Sequence, residues 1–237
     1  MTTPTDNDMV PVDLSRDIMN YFASYYQAYG FGLNVQPKSS SKLMKAIGTL
    51  FSVTRISPEF MTKYITTIGD TVYVPDAMLQ NQDENLLRVL QHESVHVYDT
   101  HRLSSPVFRF LYLFPQILAP LALLSFLAFW KVGFLWCLLF LLGLAPIPAP
   151  GRYWLELRAY RTTVLACRLV DGRTVPQMSP VYSWIEKQFT TSLYYWTWPF
   201  AKMVEKDLMN ESWMSEGIYK FIYNWHATRK QGTYRPS

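Results

Sequence analysis

One long apolar stretch constrains this chain more than any other feature. Between Phe110 and Ala149, Lys131 carries the only charge. Phe110 to Trp130 and Val132 to Ala149 are each long enough to cross a bilayer as a helix. A buried core hairpin in a soluble protein is the alternative, but roughly 40 such residues exceed what a domain of this size can cover. The stretch therefore predicts two membrane-spanning helices that turn at Lys131.

Prolines leave one alternative open for this hairpin. Pro115 and Pro120 predict kinks in the first helix, and Pro146 predicts the end of the second. The second segment is then only marginally long enough to span. A re-entrant hairpin thus remains an alternative to two full spans.

The basic residues near the stretch indicate its orientation. Lys131 alone marks the turn, whereas the outer ends carry several basic side chains. These are His101, Arg102, Arg109, Arg152 and Arg158. The positive-inside rule places such ends in the cytoplasm. We therefore expect a multi-pass membrane protein whose termini face the cytoplasm.

Composition agrees with a membrane protein and excludes some other classes. The chain has 237 residues, 49% of them hydrophobic and only 17% charged. Its net charge of +4 is modest, and no basic run alternates with aromatic residues as a nucleic-acid groove would require. The two cysteines, Cys137 and Cys167, lie in apolar or helical patterns and do not predict a disulfide framework.

The residues His92-Glu93-Ser94-Val95-His96 fit the H-E-x-x-H zinc signature. On a helix, residues four apart lie about 40° from each other on one face, so both imidazoles can hold one ion. Glu93 lies about 100° round from His92, which suits a general base better than a ligand. Apolar neighbours predict a helix from Leu86 to His101, with Asn81 as its N-cap. A metal-free helix is the alternative.

Glu156 is the candidate third ligand. It lies in a helical pattern that runs from about Arg152 to Leu169, directly after the apolar stretch. A catalytic zinc site needs three protein ligands and one open position, and a carboxylate from a second helix completes that set. Ala159, one turn away on the same face, would let the two helices approach closely.

Neighbouring polar residues are candidates for supporting roles. Asp99 lies one turn after His96 and can orient an imidazole instead of binding metal. No residue is assigned to stabilise the oxyanion of a hydrolysed carbonyl. The candidates by proximity in the sequence are His101, Tyr160 and Arg158.

The N-terminal part predicts packing helices and one β-hairpin. Helices are expected from Asp13 to Tyr29 and from Ser39 to Val53. From Tyr64 to Val74, β-branched and aromatic residues flank the Gly-led turn Gly69-Asp70, which predicts a hairpin. Its exposed edge can carry an extended peptide across the metal. A purely structural hairpin is the equal alternative.

The C-terminal part, residues 176–237, is rich in aromatic rings among Lys and Arg. Such rings favour a membrane–water interface, but we expect most of them to pack around the metal-binding helices. They are Tyr182, Trp184, Tyr194, Tyr195, Trp196, Trp198, Trp213, Tyr219, Tyr223 and Trp225.

The order of these motifs resembles a known family. H-E-S-V-H, then an apolar hairpin, then E-L-R-A-Y is similar to the gluzincin metallopeptidases, and more closely to the HtpX-like membrane zinc proteases. In that family an E-x-x-A-D helix follows a transmembrane hairpin. The resemblance covers about Thr71 to Leu169, with Tyr160 where the family has Asp. It implies a cytosolic-facing endopeptidase with the zinc ligands His92, His96 and Glu156 and the catalytic base Glu93.

Together these features predict a mainly helical α+β fold, a zincin-like metallopeptidase domain with an inserted transmembrane hairpin. The predicted parts are residues 1–105 with the H-E-x-x-H helix, 106–150 with the hairpin, and 151–237 with the third-ligand helix. The expected function is zinc-dependent hydrolysis of peptide bonds in protein substrates at a lipid membrane. The rival is a non-enzymatic membrane scaffold or interaction protein that keeps a zincin-like fold.

Overall fold

The computed structural model describes residues 14–55, 57–81, 84–130, 135–139, 141, 147–169, 171–191 and 197–230. This part of the chain is mainly helical and contains a small three-stranded sheet, in agreement with the predicted mainly helical α+β class. Its α-helices are α1 (Leu14–Tyr29), α2 (Lys42–Val53), α3 (Phe60–Lys63), α4 (Asp76–Asn81), α5 (Glu84–Leu103), α6 (Ser105–Leu113), α7 (Pro150–Leu169), α8 (Ser179–Thr190), α9 (Ala201–Met209) and α10 (Gly217–Lys230). Its 3₁₀ segments include Lys38–Ser40, Gln116–Phe129, Val175–Met178 and Glu211–Ser215.

The chain divides into two compact units. The first consists of Met1–Val97 and Ala227–Ser237, and the second of Tyr98–His226. Both boundaries fall inside helices, so α5 and α10 each contribute residues to both units. The three-part division expected from the sequence stays a prediction.

The first unit contains the sheet, whose strand order is β1-β3-β2. Its strands are β1 (Asn34–Pro37), β2 (Thr66–Ile68) and β3 (Thr71–Val74). The pair β2–β3 is antiparallel, and β1 runs parallel to β3. Gly69 leads the two-residue turn with a φ of 60°, a conformation that glycine adopts without steric cost. The predicted hairpin is therefore confirmed, whereas β1 was not predicted.

The core of the first unit lies between the sheet and α5. Val72 and Val74 alternate onto one face of β3 and form a buried cluster with Leu86 and Leu90, which lie one turn apart on α5. Partly buried apolar residues surround this cluster. They are Ile18, Phe22, Leu33, Val35, Ile65, Met78 and Leu79. This packing fixes α5 against the hairpin.

The helices predicted for the first unit are confirmed with small shifts at their ends. α2 begins at Lys42 because the Oγ of Ser41 accepts a hydrogen bond from the backbone N–H of Met44 at 3.3 Å. The predicted role of Asn81 as an N-cap is wrong. Asn81 is the last residue of α4 and not the N-cap of α5.

The second unit is organised around α7, which is buried over most of its circumference. Helices α6, α8 and α9 pack against it. Tyr153 of α7 stacks on Trp198 with ring centroids 4.7 Å apart and meets Phe189 of α8 edge-on at 5.2 Å. Its hydroxyl donates a hydrogen bond to Asp207 Oδ2 of α9 at 2.7 Å. One tyrosine thus links three elements of this unit.

Most of the C-terminal aromatic residues that the structure describes are packing residues, as expected. Tyr182, Trp213, Tyr219 and Trp225 are buried. Trp184 and Tyr223 are about half exposed, and residues 194–196 lie outside the described residues. The expected role in packing is therefore confirmed for most of the described rings.

The apolar stretch does not form the continuous helix expected from Phe110 to Trp130. α6 ends at Leu113, and the chain continues as the 3₁₀ segment Gln116–Phe129. Among the described helices none is long and apolar enough by itself to cross a membrane. The pair Ser105–Leu113 and Gln116–Phe126 meets both criteria together but is bent by 78°. Half of the second expected span, Val132–Ala149, lies outside the described residues.

Candidate metal centre

His92 and His96 lie one turn apart on α5, as the sequence predicts. Their ring centroids are 5.1 Å apart and their planes are inclined by 77°. His96 is buried and His92 is partly exposed. The two imidazoles therefore lie on one side of the helix, where a single ion can reach both.

Glu156 of α7 belongs to the same candidate group. The candidate ligand atoms of His92, His96 and Glu156 all lie within 4.8 Å of one another. Glu156 is only 1% exposed, and a carboxylate at this depth requires compensation by a cation or hydrogen bonds. Two imidazoles and one carboxylate form a donor set that zinc accepts in catalytic sites. These residues form a group that can hold a metal ion.

Glu93, the predicted base, is held by a residue of the hairpin. Thr67 of β2 donates a hydrogen bond from its hydroxyl Oγ1 to Glu93 Oε2 at 2.6 Å. Glu93 is itself buried. The bond fixes one carboxylate oxygen, so the other oxygen keeps a defined direction in which to accept a proton.

Lys38 is a buried cation in the same unit. It follows β1 directly and is fully buried, with Nζ donating a hydrogen bond to the Phe60 carbonyl at 2.7 Å. Nζ also lies over the Phe60 ring, 3.5 Å from its centroid. Burial lowers the pKa of Lys38 to about 8, although the negative charge of Glu93 partly opposes this effect. The ammonium of Lys38 therefore loses its proton more readily than an exposed lysine does, and it interacts electrostatically with Glu93.

Helix α1 holds α5 at Ser94, which lies between the two histidines in the motif. Ser94 Oγ donates to the Gln91 carbonyl at 2.7 Å, so the hydroxyl of Tyr21 donates to Ser94 Oγ, also at 2.7 Å. Tyr25 donates to the Ser94 carbonyl at 2.9 Å. Burial raises the pKa of Tyr21 above its usual value, so it stays a donor. α1 thus fixes α5 from the side of Ser94.

Within the second unit, Glu156 has a partner that was not predicted. The hydroxyl of Tyr112 on α6 donates a hydrogen bond to Glu156 Oε1. The ring of Tyr112 stacks on Phe108 one turn earlier, with centroids 5.9 Å apart. The guanidinium of Arg152 lies 4.8 Å from the ring centroid. The carboxylate of Glu156 is therefore oriented by a residue at the start of the apolar stretch.

Asp99 and Arg158 form a buried ion pair in the second unit. Arg158 donates from Nε to Asp99 Oδ2 at 2.8 Å and from Nη2 to Asp99 Oδ1 at 3.0 Å. Arg158 also donates to Glu216, and the hydroxyl of Tyr219 donates to the Arg158 carbonyl at 2.9 Å. Burial by itself would lower the pKa of Arg158, but these hydrogen bonds and charges raise it.

This ion pair changes the roles considered for its members. Both oxygens of Asp99 accept from Arg158, so the carboxylate is directed at the guanidinium. Its contact with an imidazole stays a prediction. Arg158 is 1% exposed and is bound on two sides, which makes it a poor candidate for the oxyanion. Tyr160 packs edge-on against Trp184 and Phe189. His101 is exposed near the end of α5.

Three residues of this region escaped prediction from the sequence. Thr67 carried a usable signal, because it pairs with the inward-facing Val72 and so lies on the inner face of the hairpin. A hydroxyl on that face, in a hairpin that precedes a predicted metal-binding helix, indicates a polar contact. Lys38 and Tyr112 carried no comparable signal, since their contacts depend on tertiary packing.

Comparison with known protein families, with curated proteins and with solved structures gave no match for this chain.

Proposed function

We propose that this chain is a membrane-associated, zinc-dependent endopeptidase that hydrolyses peptide bonds of protein substrates. The grouping of His92, His96 and Glu156 within 4.8 Å carries the proposal. The order of the motifs, which resembles the gluzincins of the HtpX-like type, supports it. So does the contact between Thr67 and Glu93, because a general base must be held in one orientation to act efficiently.

The residues have distinct roles in the proposed reaction. His92, His96 and Glu156 would hold a zinc ion, which would supply Lewis-acid chemistry towards the scissile carbonyl and the attacking water. Glu93 takes a proton from the attacking water and then delivers it to the leaving amine nitrogen. Thr67 keeps the carboxylate of Glu93 in place during both transfers.

An extended peptide fits the edge of β2 as substrate. With a two-residue turn, Ile68 and Thr71 form the hydrogen-bonded pair, so Thr67 and Val72 form the non-hydrogen-bonded pair. The backbone N–H and C=O of Thr67 then point away from β3, towards the edge of the sheet. A peptide added there is bound by main-chain hydrogen bonds, largely independent of its sequence. Thr67 would thus contact the substrate with its backbone and Glu93 with its side chain.

The apolar stretch is the proposed membrane segment. Phe110, Ile117, Leu123, Phe126 and Trp130 are all more than half exposed. Large exposed apolar side chains concentrated in one segment indicate contact with a membrane or a partner. We propose that the two predicted spans place Lys131 on the far side of the bilayer and the site residues in the cytoplasm.

Metal analysis of the detergent-purified full chain tests the zinc site. We expect about one zinc per chain in the wild type, with loss on His92→Ala or His96→Ala, because the imidazoles form the core of the site. Glu156→Gln should weaken binding because it replaces a ligand. Stoichiometric zinc in a His92→Ala/His96→Ala double variant would refute the site.

Replacement of Glu93, the proposed general base, tests whether the protein is an enzyme or a non-enzymatic scaffold. Glu93→Gln keeps the size of the side chain but cannot accept a proton, so zinc should stay bound while casein cleavage falls about 10²–10⁴-fold. Glu84→Gln on the same helix is the matched control and should keep full activity, because Glu84 pairs with Arg229 instead. Equal cleavage by wild type and Glu93→Gln contradicts the role of Glu93. Bound zinc without cleavage of any substrate favours the scaffold.

Accessibility of single cysteines tests the topology, after Cys137 and Cys167 are replaced by Ala. We expect Lys131→Cys to be labelled from the side opposite to Asp83→Cys and Arg229→Cys, as an even number of spans requires. Labelling of all three from one side contradicts two full spans.

A further inference from the structure

We infer that Tyr112 is a positioning residue that fixes the orientation of Glu156 and thereby sets the affinity of the site for its metal. The inference rests on the proposed function, since it concerns the carboxylate proposed as the third ligand. It adds a residue that neither the H-E-x-x-H motif nor the E-x-x-A motif contains. Its basis is the packing of α6 against α7 in the second unit.

The first observation is the contact itself. Tyr112 is half-buried and donates its hydroxyl proton to Oε1 of a carboxylate that is 1% exposed. A carboxylate that binds a metal through one oxygen is oriented by a donor on the other, and such partners strengthen the metal site. A tyrosine ring has few rotatable bonds, so its hydroxyl defines a direction more closely than a flexible side chain can.

The second observation is that the ring of Tyr112 is itself held in place. Phe108 lies nearly parallel to it at an interplanar angle of 16°. On the other helix, Arg152 lies over the ring, 4.8 Å from its centroid. Both contacts use the ring and not the hydroxyl. Replacement of Tyr112 by Phe therefore preserves them and removes only the hydrogen bond.

The third observation is the close approach of the two helices near this contact. A Cβ atom added at Gly151 of α7 would lie 2.6 Å from the backbone carbonyl oxygen of Leu111, the residue before Tyr112. A contact that short with backbone cannot be relieved by a side-chain rotation. Gly151 therefore permits the distance between helices at which the hydroxyl of Tyr112 reaches Glu156.

Zinc affinity of Tyr112→Phe, measured on the full chain in detergent by competition with a chromophoric chelator, is the direct test. We expect affinity to fall about 10–100-fold, the usual effect of removing a hydrogen-bond partner of a ligand. Tyr223→Phe is the matched control. Tyr223 is about half exposed on α10, and its loss should leave zinc affinity unchanged.

A spectroscopic measurement separates positioning from a general loss of structure. In the Co²⁺-loaded protein, Tyr112→Phe should shift the visible absorption bands of the ion, because these bands report ligand geometry, while the thermal midpoint stays close to that of the wild type. Gly151→Ala keeps the hydroxyl of Tyr112 but forces the two helices apart. We therefore expect it to lower zinc affinity, as Tyr112→Phe does.

The outcomes separate the two proposals. If the wild type binds no zinc, or binds it independently of His92 and His96, the proposed function fails. If the wild type binds zinc through these histidines and Tyr112→Phe binds it equally well with an unchanged Co²⁺ spectrum, the positioning role is wrong. A loss of turnover in Tyr112→Phe without any change in zinc affinity would also overturn it.

Discussion

The buried ammonium of Lys38 should make the stability of the protein depend on pH in an unusual direction. Its pKa falls from the usual 10.5 to about 8 because the side chain is fully buried. At about 1.4 kcal/mol per pKa unit, this difference corresponds to on the order of 3 kcal/mol. Since the folded pKa is the lower one, the unfolded chain binds more protons between pH 8 and 10.5. The free energy of unfolding therefore rises with pH across this window.

Lys38→Met should abolish this rise, because methionine has a similar length and no charge. The variant also loses the hydrogen bond to the Phe60 carbonyl, which costs about 1–3 kcal/mol at every pH. The informative quantity is therefore the change with pH in the difference between variant and wild type. Relative to the variant, the wild type should gain about 3 kcal/mol from pH 7 to 10.5.

Denaturant unfolding in detergent at several pH values between 7 and 10.5, followed by tryptophan fluorescence, measures this difference. Lys63→Met is the matched control. Lys63 forms an exposed ion pair with Glu59, and such pairs contribute little. The free energy of unfolding of Lys63→Met, plotted against pH, should therefore run parallel to that of the wild type. Parallel curves for wild type and Lys38→Met would show that the ammonium is solvated in the folded protein, and the reasoning would be refuted.

The other predictions concern single contacts at the proposed site and in the second unit. Thr67→Val keeps the shape of the side chain but loses the hydroxyl, so kcat should fall roughly 10-fold with zinc affinity unchanged. Thr66→Val, on the opposite face of β2, is its control, and an equal loss in both variants argues against a specific role. Asp99→Asn leaves Arg158 without its buried counter-charge and should lower stability by about 3 kcal/mol, measurable as a lower thermal midpoint. A midpoint unchanged in Asp99→Asn would show that Glu216 alone compensates the guanidinium.

Local patterns predicted the elements that local chemistry determines. The hairpin from Thr66 to Val74 follows from β-branched residues around a Gly-led turn, and the helix containing His92 and His96 follows from the spacing of its apolar residues. Glu156 could be proposed because a zinc site requires a third ligand, which is a chemical rule and not a structural one. These predictions needed no knowledge of tertiary packing.

Contacts between distant residues could not be predicted in the same way. β1 pairs with β3 although Asn34 and Thr71 are far apart in the chain, and Asn34–Pro37 has no alternating pattern of its own. Tyr112 donates to Glu156 only because α6 and α7 approach closely at Gly151. Asp99 could not be matched to Arg158 because a carboxylate near a histidine motif has several plausible partners. Such pairings depend on the arrangement of whole helices.

The partners found for Glu93 and Glu156 also explain how the two carboxylates can have different roles. Glu93 follows His92 on α5 and is fixed by the hydroxyl of Thr67 from the sheet of the first unit. Glu156 lies on α7 and is fixed by the hydroxyl of Tyr112 from α6 of the second unit. Each carboxylate accepts a hydrogen bond at one oxygen from a neutral hydroxyl. Removal of either hydroxyl should therefore have a distinct effect: Thr67→Val should lower turnover with zinc still bound, and Tyr112→Phe should lower zinc affinity. If both variants lose zinc to the same extent, the separation of roles is wrong.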